Sequence, residues 1–119
     1  MRNFRDIKVW QKAHRLTLAV YQATNNFPTE ERFGLTSQAR RAAASIPSNI
    51  AEGCGRDSEA ELARFLHIAA GSASELEYVL LLTRDLGFTT DERHESLAKD
   101  VSEVKRMLYA FTQSLKAPR

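Results

Sequence analysis

The sequence predicts an all-α fold, an antiparallel up-down four-helix bundle. Three observations carry that expectation. Leu, Ala, Glu and Arg dominate, β-branched residues are sparse, and only three prolines and five glycines occur in 119 residues, a composition that favours helix. Apolar residues recur at three- and four-residue spacing in four separate segments. Capping and breaking residues stand at the ends of those segments. The length suits one domain, residues 1–119, with one core. Helices are expected at about 6–25, 36–53, 58–86 and 90–115, and short connections between such helices give a bundle.

In the first segment Asp6 is the expected N-cap. Trp10, Ala13, Thr17, Val20 and Thr24 form the inward stripe, widened by Leu16 and Tyr21. Arg5, Lys8, Lys12 and Arg15 repeat at the same spacing on another face, so they read as one basic strip. Such a strip is either a solvated face or a line of phosphate contacts. Pro28 biases Phe27 away from helical geometry. Thr29 to Phe33 reads as a short helical turn broken by Gly34. Phe27, Phe33 and Leu35 are expected to plug that end of the core.

Thr36 or Ser37 is the expected cap of the second helix, whose apolar face is Ala39, Ala43, Ile46 and Ile50. Gln38, Arg41, Ser45, Asn49 and Glu52 make a polar face of short or branching hydrogen-bonders. A water-facing helix would carry Lys and Glu there. These residues are therefore expected to meet a neighbouring helix or a narrow lumen, with Arg41 pairing to Glu75. Pro47 removes a backbone donor and clashes with the carbonyl of Ala43, so a kink is expected, with Asn49 bonding the freed backbone. Gly53 or Gly55 is expected to end the helix in a left-handed C-cap.

Ser58-x-x-Glu61 is a capping-box pattern opening the longest helix, which Gly87 should stop. Its stripe is Leu62, Phe65, Leu66, Ala69, Ala73, Leu76, Val79 and Leu80. Ile68, Leu81 and Leu82 lie outside that stripe, and a helix apolar on more than one side is buried on more than one side. In so short a chain this predicts a subunit interface, with Gly71-Ser72-Ala73-Ser74 allowing close helix approach. Thr89-x-x-Glu92 is a second capping pattern. Leu97, Val101, Val104, Leu108, Phe111 and Leu115 line the last helix, with Lys99, Lys105 and Arg106 outside it. Ala117-Pro118-Arg119 should fray.

The formal net charge is only +2. Its distribution says more: residues 1–41 carry eight bases and three acids, about +5, and the remainder carries nine bases and twelve acids, about −3. The single cysteine, Cys54, excludes an intrachain disulfide. The N-terminus lacks a signal-peptide pattern, and the purely apolar runs are too short to span a bilayer. A cytoplasmic protein is the expected reading, with no membrane partner.

No catalytic group emerges. His14, His67 and His94 are scattered without a second ligand at metal spacing. Glu75-x-Glu77 lacks the Glu-x-x-His of carboxylate-bridged di-iron bundles. Ser45 and Ser48 have no Lys or His at catalytic spacing. Gly53-Cys54-Gly55 lacks the length and the Lys of a phosphate loop. Cys54 lies near a helix C-terminus, where the dipole opposes a thiolate, so a buried inert thiol is expected. No metal and no cofactor is expected.

Several strings resemble a known family. The opening Phe4-Arg5-Asp6-Ile7-x-Val9-Trp10-Gln11-Lys12-Ala13 is one. A second is Phe27-Pro28-x-x-Glu31-x-Phe33-Gly34-Leu35-Thr36-Ser37-Gln38. Arg40-Arg41-Ala42 follows, and then Ser45-Ile46-Pro47-Ser48-Asn49-Ile50-Ala51-Glu52-Gly53. Gly71-Ser72-x-x-Glu75-Leu76-Glu77 completes the set. They are similar to the bacterial four-helix-bundle proteins first noticed in intervening sequences of 23S ribosomal RNA genes. The Ser45–Gly53 string is the most specific, and the last helix carries little signature. The resemblance implies a ring-shaped homopentamer and no enzyme activity. It also implies kinship with the accessory variability proteins of diversity-generating retroelements, which resemble basic barrels that bind nucleic acid and a reverse transcriptase. The leading expectation is a non-enzymatic homo-oligomer that binds RNA or DNA through Arg5, Lys8, Lys12 and Arg15, with Arg40, Arg41 and Arg56 as further candidates. In the same reading Gln38, Ser45, Pro47, Asn49, Glu52 and Glu75 are structural. The alternative is a protein-interaction scaffold that binds no nucleic acid.

Overall fold

A computed structural model describes residues 1–116; the expected fraying of Ala117-Pro118-Arg119 lies outside the described residues. Among the described residues four helices make the fold: α1 (Lys8–Thr24), α2 (Leu35–Cys54), α3 (Glu59–Asp85) and α4 (Asp91–Lys116). Two 3-10 turns, Phe4–Asp6 and Thr29–Glu31, precede α1 and α2, and there is no strand among the described residues. The molecule is a rod of 50 × 23 × 20 Å. Each helix packs on its neighbours in chain order and α4 returns to α1, while the backbones of the diagonal pairs α1/α3 and α2/α4 do not approach closely.

The core is the set of inward stripes. Ala13, Leu16 and Val20 of α1 meet Ala39, Ala43, Ile46 and Ile50 of α2, Leu66, Ala69, Ala73, Leu76 and Val79 of α3, and Val101, Val104 and Leu108 of α4. By composition and length α3 could cross a membrane; here it packs between α2 and α4 with its main stripe buried. Two expected core members are not there. Tyr21 is exposed, and Phe33 is 87% exposed. Phe27 alone of the predicted plug is buried, against the ring of Phe88 at 5.8 Å.

The helix ends correct several expectations. Asp6 closes a 3-10 turn and Ile7 stands at the α1 N-cap, with no side-chain cap. Gln11 Nε2 reaches back instead to the Arg5 carbonyl at 2.8 Å. Gly34, not Thr36 or Ser37, precedes α2, and the Glu31 carboxylate accepts from the Leu35 N–H at 3.0 Å. An acid outside the helix thus satisfies one of its orphan donors. Ser58 caps α3 by accepting from the Glu61 N–H. The cap of α4 is Thr90, one residue beyond the expected Thr89, and it accepts from the Arg93 N–H at 3.1 Å.

Two glycines have distinct jobs. Gly87 has φ +81°, the Gly87 N–H donates to the Arg84 carbonyl, and the Phe88 N–H donates to the Thr83 carbonyl. That is the Schellman arrangement ending α3. Gly53 is buried inside α2, and Gly55 after it is right-handed, so neither makes the expected left-handed cap. A Cβ on Gly53 would lie 2.8 Å from Phe65 Cβ and 3.0 Å from Leu62 Cδ1. Gly53 is there because α3 comes too close for any side chain. A Cβ on Gly71 would meet nothing within 4 Å; no other helix of this chain makes the close approach expected there.

Helix α2 continues through Pro47. The carbonyl freed is that of Ala43, and it accepts from Thr17 Oγ1 of α1 at 3.1 Å. Asn49 does not serve it: Asn49 Nδ2 donates to the Ser45 carbonyl at 2.8 Å and to Ser45 Oγ at 3.0 Å.

Candidate nucleic-acid interface

The polar face of α2 lies along α3. Arg41 meets Glu75 at 3.2 Å, and Ser45 Oγ and Ser72 Oγ share a 2.7 Å hydrogen bond. Asn49 extends that pair through Ser45. Gln38 is half-buried at the start of the seam. Glu52 pairs with Arg56, just past the end of α2, at 2.9 Å. These contacts satisfy groups between two helices, and among the described residues no buried side-chain nitrogen or oxygen lacks a partner. No group of three or more His, Cys, Asp or Glu comes together among the described residues. Cys54 is buried, and burial pushes its thiol pKa up against the smaller opposing pull of Arg2 and the N-terminal ammonium. A neutral thiol is a poor nucleophile.

The cations of the predicted strip are not equivalent. Lys12 Nζ lies 3.3 Å from Asp100 and 3.4 Å from Glu103 of α4, and its side chain is only 24% exposed. Its charge is met within the bundle, which breaks the strip in the middle. Arg5 belongs to the 3-10 turn rather than to α1, with its guanidinium 4.6 Å from the Phe4 ring centroid. Lys8 and Arg15 are exposed, and no ion pair of theirs occurs among the described residues. Arg56 is paired to Glu52 and lies 4.9 Å from the centroid of Phe65, a ring that Arg64 also approaches at 4.6 Å. Arg64 itself holds Glu61, and that hydrogen bond lowers the Glu61 pKa.

At the other end of the rod the picture differs. Arg40 donates to Thr24 Oγ1 at 2.8 Å, to Asn25 Oδ1 at 3.0 Å and to the Tyr21 carbonyl at 3.3 Å. All three acceptors are neutral, so the guanidinium is held in place with its charge uncompensated. It also lies 4.6 Å from the Tyr21 ring centroid. Arg40 shares a concavity of about 390 Å³ with Tyr21, Arg32, Phe33, Thr36, Ser37 and Arg41. Three arginines line it and no carboxylate does, although Glu75 reaches Arg41 from α3. The sequence singles out Arg40 and Arg41 but misses Arg32, Phe33 and Tyr21. Helical spacing assigns Tyr21 to the core and the apolar character of the connection assigns Phe33 to the plug, and only the path of the 27–34 connection turns Phe33 outward.

Comparison with known proteins agrees with this architecture. The family model of the 23S rRNA-intervening sequence proteins matches residues 5–110. A crystal structure of a protein of unknown function from the S23 ribosomal protein family of Bacteroides thetaiotaomicron is similar at a TM-score of 0.82 and 27% identity, covering 88% of this chain and 95% of that one. No curated protein matches.

Proposed function

For a chain that belongs to the 23S rRNA-intervening sequence protein family, we propose a non-enzymatic, cytoplasmic role as a nucleic-acid-binding assembly. The protomer is an up-down bundle that assembles with copies of itself into a ring, a pentamer in the reading the family suggests, and binds RNA or DNA through its basic surfaces. The observation that carries this is Arg40, fixed by three neutral acceptors with no acid to cancel it. A charge held rigidly and left unpaired is suited to a phosphate, since little ordering entropy remains to be lost on contact. Arg32, Lys8 and Arg15 add exposed positive charge, and Arg41 adds a guanidinium shared with Glu75. A ring multiplies each weak contact by its copy number.

A second reading is a protein-interaction scaffold, for instance toward a reverse transcriptase. It is favoured by the exposed Ile68, Tyr78 and Leu81 of α3. Titration of binding to structured RNA and duplex DNA against salt separates the two. Nucleic-acid binding gives an affinity that falls steeply with salt and weakens when Arg40 and Arg41 become alanine; no binding at low salt rejects it. Sedimentation tests the assembly, and a monomer at micromolar concentration rejects the ring.

A further inference from the structure

We infer that the concavity between α1 and the start of α2 is a site for single-stranded nucleic acid, in which an unstacked base lies on Phe33 while its flanking phosphates meet Arg32, Arg40 and Arg41. This inference rests on the nucleic-acid reading above and narrows it to one place and one form of ligand.

Phe33 is the starting point. A phenylalanine 87% exposed at the tip of a connection gains nothing for the protomer's core. Its apolar faces stay in water, so the gain from covering them is left to a ligand. The Arg32 guanidinium lies 5.3 Å from its centroid, and the Tyr21 ring beside Arg40 gives the concavity a second aromatic wall. Exposed π-faces beside arginines, two of which (Arg32 and Arg40) have no acid against them here, are what single strands use. Every base offers a face to stack, and its phosphates need only positive charge nearby. Thr36 and Ser37 add hydroxyl groups that suit ribose or phosphate oxygens.

A duplex fits this site poorly. Its bases are already stacked on one another and hidden from a protruding ring, so it could use the arginines but not Phe33. Lys8 and Arg15, farther along α1, lie outside this concavity.

Fluorescence anisotropy with labelled oligouridylate, oligothymidylate and a duplex RNA of the same length tests this on the full-length protein. Phe33→Ala is expected to weaken binding of both single strands by roughly ten-fold or more and to leave the duplex unchanged. Phe33→Trp should retain single-strand binding, with its indole emission quenched by the bound base. Arg32→Ala should weaken all three ligands alike and lower the salt slope by about one. A stronger hold on oligouridylate than on oligothymidylate would assign the hydroxyl contacts to ribose. If the wild type binds single strands and Phe33→Ala binds them equally well, this site is wrong and the wider reading stands. If Phe33→Ala instead breaks the assembly in sedimentation and loses the duplex as well, Phe33 is a subunit contact and the inference fails. Absence of binding to any of the three overturns both this site and the nucleic-acid function.

Discussion

Substituting Thr17 by valine tests how α2 tolerates a proline at its middle. Pro47 has no N–H, so the Ala43 carbonyl lacks its helical partner, and Thr17 Oγ1 stands 3.1 Å away. The same hydroxyl lies 2.8 Å from its own Ala13 carbonyl, so its single proton is shared between two acceptors. Valine keeps the shape and nearly the same helix propensity but removes the donor. A buried carbonyl left without a partner costs about 1–3 kcal/mol. Thr17 is half-buried and Ala13 keeps its backbone bond, so the lower half of that range, about 1–1.5 kcal/mol, is expected. In a domain of this size that lowers Tm by roughly 3–6 °C. Urea unfolding should show a lower midpoint with an unchanged slope. The decisive measurement is the cycle with Pro47→Ala, which restores an N–H to Ala43. In that background the Thr17→Val penalty should fall by at least half, a coupling of about 0.5–1 kcal/mol. Strict additivity of the two substitutions, or a neutral Thr17→Val, refutes the account.

Four further outcomes follow from the packing and the charges. Gly53→Ala should destabilise by about 1–3 kcal/mol, since its Cβ would enter the 2.8 Å gap to Phe65 Cβ. Gly71→Ala, facing open space, should instead stabilise the protomer by up to about 1 kcal/mol; a loss of assembly with that variant would place a second copy on Gly71. Gly87→Ala should cost about 1 kcal/mol by thermal unfolding, because φ +81° strains any side chain. Cys54 should react slowly with a thiol reagent at pH 8 and quickly once unfolded. Its folded pKa is raised by burial. The associated stability is therefore full below the unfolded thiol value of about 8.5 and declines as pH rises through the folded value.

The four helices and nearly every core position were legible because the apolar stripes are long and regular. Each of the eight α3 stripe residues from Leu62 to Leu80 is buried. The Arg41–Glu75 pair was legible too, since branching hydrogen-bonders in place of Lys and Glu signal a covered face. What failed was local and non-local at once. Asp6 and Thr89 look like caps by type, yet which residue caps is decided by the turn that precedes the helix, not by the residue alone. Phe33 fits a core pattern in composition, but the pattern does not reveal which way the connection between α1 and α2 faces. Lys12 matches the basic strip by spacing, and only the neighbouring α4 brings Asp100 and Glu103 to it. Thr17 could not be linked to Pro47 before α1 was placed against α2.

The serine pair joining α2 and α3 bears on a different property, the uniqueness of the native state. The central part of α2 presents Ala39, Ala42 and Ala43 to its neighbours, a smooth surface along which a helix could slide by one turn with little change in buried area. Such a slide, about 5.4 Å, would separate Ser45 from Ser72 and Arg41 from Glu75, and would drive a side chain into the notch at Gly53. Three modest contacts therefore reject a whole set of near-equivalent packings. A chain with Ser45 and Ser72 both replaced by alanine should melt at nearly the same temperature and yet show broadened amide resonances along α2, the mark of a bundle that is stable without being settled.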